Sequence, residues 1–407
     1  MTDLSPVAAD AHAAADALPF RRARIATHLQ FFVLGLAAAA LGVHVPSMRA
    51  HYGLGDAQLS LALFAASVGA VLCLLFAGRI IAAWGARGAA LGAAVGAALS
   101  LALLLQFDSL PLLMLAMAGL GATVGLFDVA INTEGSYLEQ RAGRKMMSAM
   151  HGMWSLGGMV GASIGAWLLD HDVSPLLQMR CAALLFAVVA LAAGLAMLPT
   201  HEVVAGHGAQ ARRLTDMAAP GRNTLLLLGL LAILGLLAEG AIYDWSVLYV
   251  QREIGAEPAL SALAFASFSA AMAAGRFGGD WLRSHVHPAA LLRACAIVAA
   301  CAMTLVLWTN SVWVALLGFA LVGLGLANVI PLLFVAASRV PGVSAAAGIA
   351  LVSSLGWIGL LIGPPVVGAV ASVLSLGWGL TLVVVSSLAL AICAKRVEAS
   401  GAGDSSA

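Results

Sequence analysis

"PTHEVVAGHGAQARRLTDMAAPGR", residues 199–222, is the longest polar stretch in the chain. On either side of it the sequence is almost uninterruptedly apolar. A membrane-spanning helix needs about 20 consecutive, mainly apolar residues. Marking such runs, with breaks at Gly, Pro and clustered charge, places six spans before this stretch and six after it. Their limits are 25–46, 57–82, 87–106, 110–136, 147–169 and 176–198, then 223–250, 259–283, 288–308, 311–338, 344–371 and 375–394. The organisation predicted is a tail over 1–21, a bundle over 22–198, a linker over 199–222, a second bundle over 223–395 and a tail over 396–407. The N-terminal tail is expected to be flexible.

Composition agrees. Of 407 residues, 62% are hydrophobic and 10% charged, and the mean hydropathy is +1.00. Soluble domains carry about 25% charged residues, so the chain is expected to use lipid as its solvent and to be an all-α membrane protein. A net charge of +1 with no long basic run excludes nucleic acid as a partner. The five cysteines are scattered through apolar segments without a CxxC or Cys/His cluster, so neither a disulfide framework nor a metal site is expected. No Gly-rich run is followed by Lys-Ser/Thr, and no catalytic constellation is clustered. An enzyme, a nucleotide-driven pump and a bound cofactor are therefore not expected. The first twenty residues lack the short apolar core of a signal peptide.

Lys and Arg placement gives the orientation. With the N-terminus inside, 16 basic residues fall on the inner side and 3 on the outer side, Arg49, Arg180 and Arg252, while Arg276 falls within span eight. Both termini are thus expected in the cytoplasm, in a bacterial inner membrane.

The halves repeat. "GRIIAAW" at 78–84 and "GRFGGDW" at 275–281 share G-R-x4-W at an offset of 197 residues. "SLGGMVGASIG" at 155–165 answers "SLGWIGLLIG" at 354–363, with Gly161 and Gly165 matching Gly359 and Gly363 at an offset of 198. Six spans per repeat is an even number, so the halves run parallel and are related by an axis along the membrane normal. Twelve spans in such a 6+6 repeat resemble the major facilitator superfamily (MFS) of secondary transporters. "DVAINTEG" at 128–135, "MHGMWSLGGMVGA" at 150–162 and "AEGAIYDWSVLYV" at 238–250 resemble its fucose-permease-like bacterial branch. The resemblance implies alternating access between two bundles, without naming a substrate. One feature departs from the superfamily: its loop between spans two and three reads "GRIIAAWGAR" here, with Ala82 and Ala83 where an acid and a base are expected. The acid stands in the second half, as Asp280 beside Arg276 and Arg283, and with Arg276 it is the expected cytoplasmic gate.

Intramembrane charge costs at least about 2.5–3.5 kcal/mol at a helix centre and needs a partner, water or a proton. Asp128 lies about 27 Å along span four, with Asn132 one turn on along the same face. Glu134, near Arg141, Arg144 and Lys145, reads as a residue of the cytoplasmic rim. Glu239 lies about 24 Å along span seven, with no base beside it in sequence and with the Tyr243 hydroxyl within reach at i+4. Desolvation there favours its protonated form, so Glu239 and Asp128 are the candidate proton-coupling residues. The candidate substrate-binding residues are Gln30, Asn132, His151, Trp154, Tyr243, Asp244, Asn328 and Trp357. His44 lies about 40° around span one from Gln30, on the same side of the helix, but near a helix end it reads first as an interfacial residue.

The function expected is secondary active transport by alternating access, with proton-coupled uptake of a small neutral polar solute such as a sugar. A neutral solute is preferred mainly because of the fucose-permease-like resemblance; an anion is disfavoured because it would want a buried base, and Arg276 reads as serving the loop with Asp280. The alternative is proton-driven export of a cationic or amphipathic compound; of another class, a transporter-like membrane sensor. The partners expected are a small-molecule substrate, protons and the lipid bilayer, with the chain a monomer.

Overall fold

The architecture is that of a computed structural model, which describes residues 6–143, 146–199, 219–341 and 343–399. Among the described residues there are fourteen helices and no strand. In order they are α1 (Pro6–Val43), α2 (Val45–His51), α3 (Asp56–Leu103), α4 (Leu110–Ala142), α5 (Met147–Asp170), α6 (Pro175–Leu195), α7 (Ala219–Arg252), α8 (Pro258–Phe277), α9 (Gly279–His285), α10 (Pro288–Trp308), α11 (Val312–Leu326), α12 (Val329–Ala337), α13 (Ala345–Val373) and α14 (Leu376–Ala399). Most of the predicted linker, residues 200–218, lies outside the described residues, as do residues 400–407 of the predicted tail.

Eleven segments among the described residues are long and apolar enough to cross a membrane. One of them supplies two spans. Helix α3 has 48 residues, about 72 Å of helix against a hydrocarbon core of about 30 Å. It bends at Gly85, whose φ of 71° and ψ of 165° interrupt the helix. Only glycine adopts that conformation without steric cost, so a single residue stands where a loop between spans two and three was expected. Span ten is likewise broken, between α11 and α12 at Asn328. The predicted flexible tail also differs: α1 reaches back to Pro6, through an Ala-rich stretch of strong helix propensity.

Six of the tryptophans mark the two ends of the molecule. Trp84 and Trp281 are exposed at the end that carries the linker, and Trp167, Trp308, Trp313 and Trp378 at the far end. Amphipathic rings at both levels are what membrane interfaces select.

The repeat is realised as equivalent helix pairs. Helix α5 packs on α1 in the first bundle, and α13 on α7 in the second. Between bundles, α5 packs on α8 and α13 on α3. The intrabundle contacts depend on missing side chains: a Cβ on Gly157 would lie 1.9 Å from the Phe32 carbonyl oxygen, and one on Gly359 would lie 2.1 Å from that of Ile233. In lipid, where apolar contact alone gives little preference between partners, small residues let backbones approach closely. The N-terminus of α5 is held by Glu139, whose Oε2 accepts from the amides of Met146 at 2.6 Å and Met147 at 2.9 Å. A carboxylate there also complements the helix dipole.

At the far end, Asp56 opens α3 and takes Arg252 of the other bundle at 2.5 Å, with Arg49 of α2 at 3.5 Å. Below it, Gly368 of α13 fits so tightly that an added Cβ would stand 1.3 Å from the Ser60 hydroxyl. At the linker end, Phe277 covers Gly152, and Arg283 donates to Ser148 Oγ of α5 at 3.2 Å.

Gly359→Ala should destabilise the detergent-solubilised protein by about 1–3 kcal/mol, the usual cost of overpacking. Gly78→Ala, where nothing lies within 4 Å of the new methyl, should leave the thermal melting curve in place. Equal melting of the two variants would refute the close-packing role of Gly359.

Candidate coupling and substrate site

The middle of the bundle interface is built by α5, α7 and α8. Glu239 projects from α7, and Arg276 from the last turn of α8. Arg276 Nη2 donates to Glu239 Oε1 at 2.9 Å, and the two side chains are 14% and 9% exposed. Arg276 Nη1 donates to Ser155 Oγ of α5 at 2.8 Å, so this one side chain ties both bundles together. The guanidinium lies over the Trp154 ring at 5.8 Å. Tyr243 stands edge-on to Trp154 at 5.1 Å and packs on Phe265 and Phe268, both at 4.9 Å.

This corrects two sequence readings. Glu239 is not isolated: its base comes from a neighbouring helix. Arg276 in turn does not pair with Asp280, which takes Arg283, three residues on, instead. One helical turn separates Arg276 from Asp280, but α8 ends at Phe277 and the chain restarts as α9. The two side chains therefore diverge, one into the interface and one to the surface. Tyr243 departs as well, since its hydroxyl is buried beside Ser155 and Ser269 and makes no hydrogen bond to Glu239.

His151 sits one turn before Ser155 on α5, with its ring 5.1 Å from Phe31. Its Nδ1 donates to the Met147 carbonyl at 3.0 Å, which leaves Nε2 as an acceptor in the neutral ring. Asp128 and Asn132 are half-buried on α4, on the face that carries Gly121 and Gly125 against α3. Asn132 Nδ2 donates to the Asp128 carbonyl at 2.8 Å and to its Oδ1 at 3.0 Å. No cation pairs with Asp128 among the described residues. The same holds for Asp244, which is half-buried on α7. Trp357 is half-buried on α13.

Two expected residues, Gln30 and Asn328, lie elsewhere, and so does His44. Gln30 is fully buried inside the first bundle, and its Nε2 meets Met197 Sδ at 3.3 Å. It precedes Phe31 by one residue, a rotation of about 100°, which takes it from the α5 side of α1 to the α6 side. His44 is buried too, donating from Nε2 to Gln178 Oε1 at 3.1 Å near the far end. Asn328, at the break between α11 and α12, accepts from Arg283 at 2.8 Å and donates to the Gly275 carbonyl at 3.2 Å. It braces the linker end rather than facing the Arg276 cluster. Glu134 is fully buried and not at a rim: its Oε1 accepts from the Leu198 amide at 2.8 Å, just past the end of α6.

Sequence reasoning passed over Ser155, Asp56 and the partner of Arg252, while Arg283 was noted beside Asp280, which it does pair with. Arg283 had a local signal, its i+3 spacing from Asp280. The Arg252–Asp56 bond spans 196 residues and had none.

Comparison with known proteins agrees with this architecture. An uncharacterized MFS-type transporter of Yersinia pestis is 31% identical over 374 residues, covering 92% of this chain and 95% of the relative. The structure of the nucleoside transporter NupG superposes with a TM-score of 0.69 at 15% identity, covering 95% of this chain and all of that one. FucP, an MFS transporter in an outward conformation, superposes with a TM-score of 0.62 at 17% identity, covering 92% and 98%. The profile of the Major Facilitator Superfamily matches residues 27–348, and the chain belongs to that family of secondary transporters.

Proposed function

We propose that this transporter couples solute uptake to protons, with Glu239 and Arg276 as the coupling centre and Asp128 contributing. The observation that carries the reading is the buried 2.9 Å pair of Glu239 and Arg276, tied across the bundle interface through Ser155. Alternating access requires the bundles to rock about such a centre. Breaking a buried pair by removing one charge typically costs about 3–5 kcal/mol. A proton on Glu239 therefore releases Arg276 to another partner, and the released Arg276 is the natural place for solute to enter the cycle. FucP of E. coli is a fucose:proton symporter, which is in keeping with proton coupling on this fold. The preference for a neutral solute rested mainly on the resemblance to fucose permeases; the argument against an anion rested on the lack of a base in the cavity, and Arg276 removes that ground.

The second reading, proton-driven export of a cation, draws on Asp128 and Asp244, half-buried acids with no cationic partner among the described residues. The orientation proposed is that of the basic-residue count, with the linker end in the cytoplasm of a bacterium and the far end outside. The working unit proposed is the monomer.

In proteoliposomes with an imposed pH gradient, the wild type should accumulate its solute. Glu239→Gln should lose that accumulation while still exchanging solute down its own gradient. Full gradient-driven accumulation by Glu239→Gln would end the coupling claim.

The Asp56–Arg252 pair joins the two bundles at the far end, so Asp56→Asn should shift the population toward a state more open on that side. A cysteine replacing Ser60, in a background freed of native cysteines, reports this through its labelling rate. The rate should rise about 5-fold or more, the scale of typical conformational couplings. An unchanged rate would show that Asp56 does not hold the closed state.

A further inference from the structure

A guanidinium presents its two terminal nitrogens as a fork that matches both oxygens of one carboxylate. Arg276 is not used that way. Its Nη2 meets a single oxygen of Glu239, and its Nη1 is held by the neutral hydroxyl of Ser155 in the opposite bundle. The surroundings are aromatic rather than charged, with Trp154 under the guanidinium and Tyr243 edge-on to Trp154. The other titratable groups around the pair are Tyr243 on α7 and His151 on α5. The His151 Nδ1 hydrogen is already spent on a backbone carbonyl.

We propose that the transported solute carries a carboxylate, and that this group takes the fork of Arg276 when Glu239 holds the coupling proton. The proposal rests on the proton-coupled reading above and adds the class of solute. The proton moves onto Glu239, the Arg276–Glu239 contact opens, and the solute carboxylate replaces it. Before binding, Arg276 and Glu239 sum to zero charge. After binding, Arg276, neutral Glu239 and the anion again sum to zero. A neutral solute arriving with a proton would leave one uncompensated positive charge in a buried site, and a cation would leave two. Such charges are costly there. Each carboxylate therefore travels with one proton and no net charge, and the Trp154 and Tyr243 rings accept the flat or ring-shaped body of the solute.

The test uses the full-length protein in proteoliposomes and three matched sets of probes: glucuronate and galacturonate, glucose and galactose, glucosamine and galactosamine. These are too polar to cross the bilayer unaided. A pH gradient is imposed while potassium and valinomycin clamp the membrane potential at zero or at a negative value. The acids are expected to accumulate, to alkalinise the outer medium, and to do so equally at both potentials. In calorimetric binding, Glu239→Gln should bind the acids about 10-fold tighter than wild type at alkaline pH, on the scale of usual coupling energies, and without pH dependence. Arg276→Gln should abolish that binding and Arg276→Lys should keep part of it, each variant being checked as monodisperse by size exclusion. A merely structural role for the pair would leave Glu239→Gln binding no tighter than wild type.

Gradient-driven accumulation of the sugars or amino sugars without the acids would overturn the carboxylate proposal and leave proton coupling standing. Uptake of the acids that follows the membrane potential would overturn it through the charge balance. Absence of any binding or uptake of the acids overturns it as well. If the neutral and amino forms also fail to follow the pH gradient, the proton-coupled reading falls with it.

Discussion

A guanidinium and a carboxylate, Arg276 and Glu239, meet at 2.9 Å in a part of the protein that lipid surrounds. Neither group is tolerable there alone. Together they offset much of the desolvation cost, and the Ser155 hydroxyl satisfies the second arm of the arginine. The pair joins α7 and α8 within the second bundle, and its bond to Ser155 of α5 forms only when the two bundles are packed as they are. Here the requirement that buried charge be paired and the requirement that a transporter have a movable centre fall on the same residues.

Around that centre each bundle is closely packed within itself. Gly157 against Phe32 and Gly359 against Ile233 bring backbones so close that no side chain fits. Those contacts leave each bundle little freedom to repack, because close-packed interiors do not deform smoothly. The bundles meet through an apolar seam, with Ala39, Val43 and Ala162 against Val247, Ala262 and Phe265, and through polar contacts near the ends: Asp56 with Arg252 at one end, Arg283 with Ser148 at the other. Hydrogen bonds and ion pairs near a water boundary exchange for water at little net cost. Rocking motions can break them while the bundles stay intact.

Much of the fold was legible in the chain. Apolar runs bounded by polar stretches reveal the spans, because only a helix that satisfies its own backbone can cross the bilayer. The candidate site was legible only in part. Trp154, His151, Tyr243 and Glu239 were singled out by residue type and depth, and the structure gathers them around Arg276. Local reading misled at three places for one reason, that it ranks neighbours by sequence. Arg276 was assigned to Asp280 four residues on, whereas the break after Phe277 separates them. Glu134 was assigned to the nearby basic residues, whereas helix rotation turns it inward to the Leu198 amide. Gln30 was placed in the cavity, whereas one residue of rotation sends it to Met197.

The sequence by itself determined the class of protein, the placement of its spans, the internal repeat and the family it resembles. All of these depend on hydropathy and short motifs, which are local along the chain. Only the tertiary structure decided which charges meet. Glu239 and Arg276 are 37 residues apart, Ser155 and Arg276 are 121 apart, and Asp56 and Arg252 are 196 apart. Each partnership depends on the rotation of two helices about their own axes and on their crossing. Those angles are set by the packing of glycines and aromatic rings across the bundles, and no single stretch of sequence carries that information.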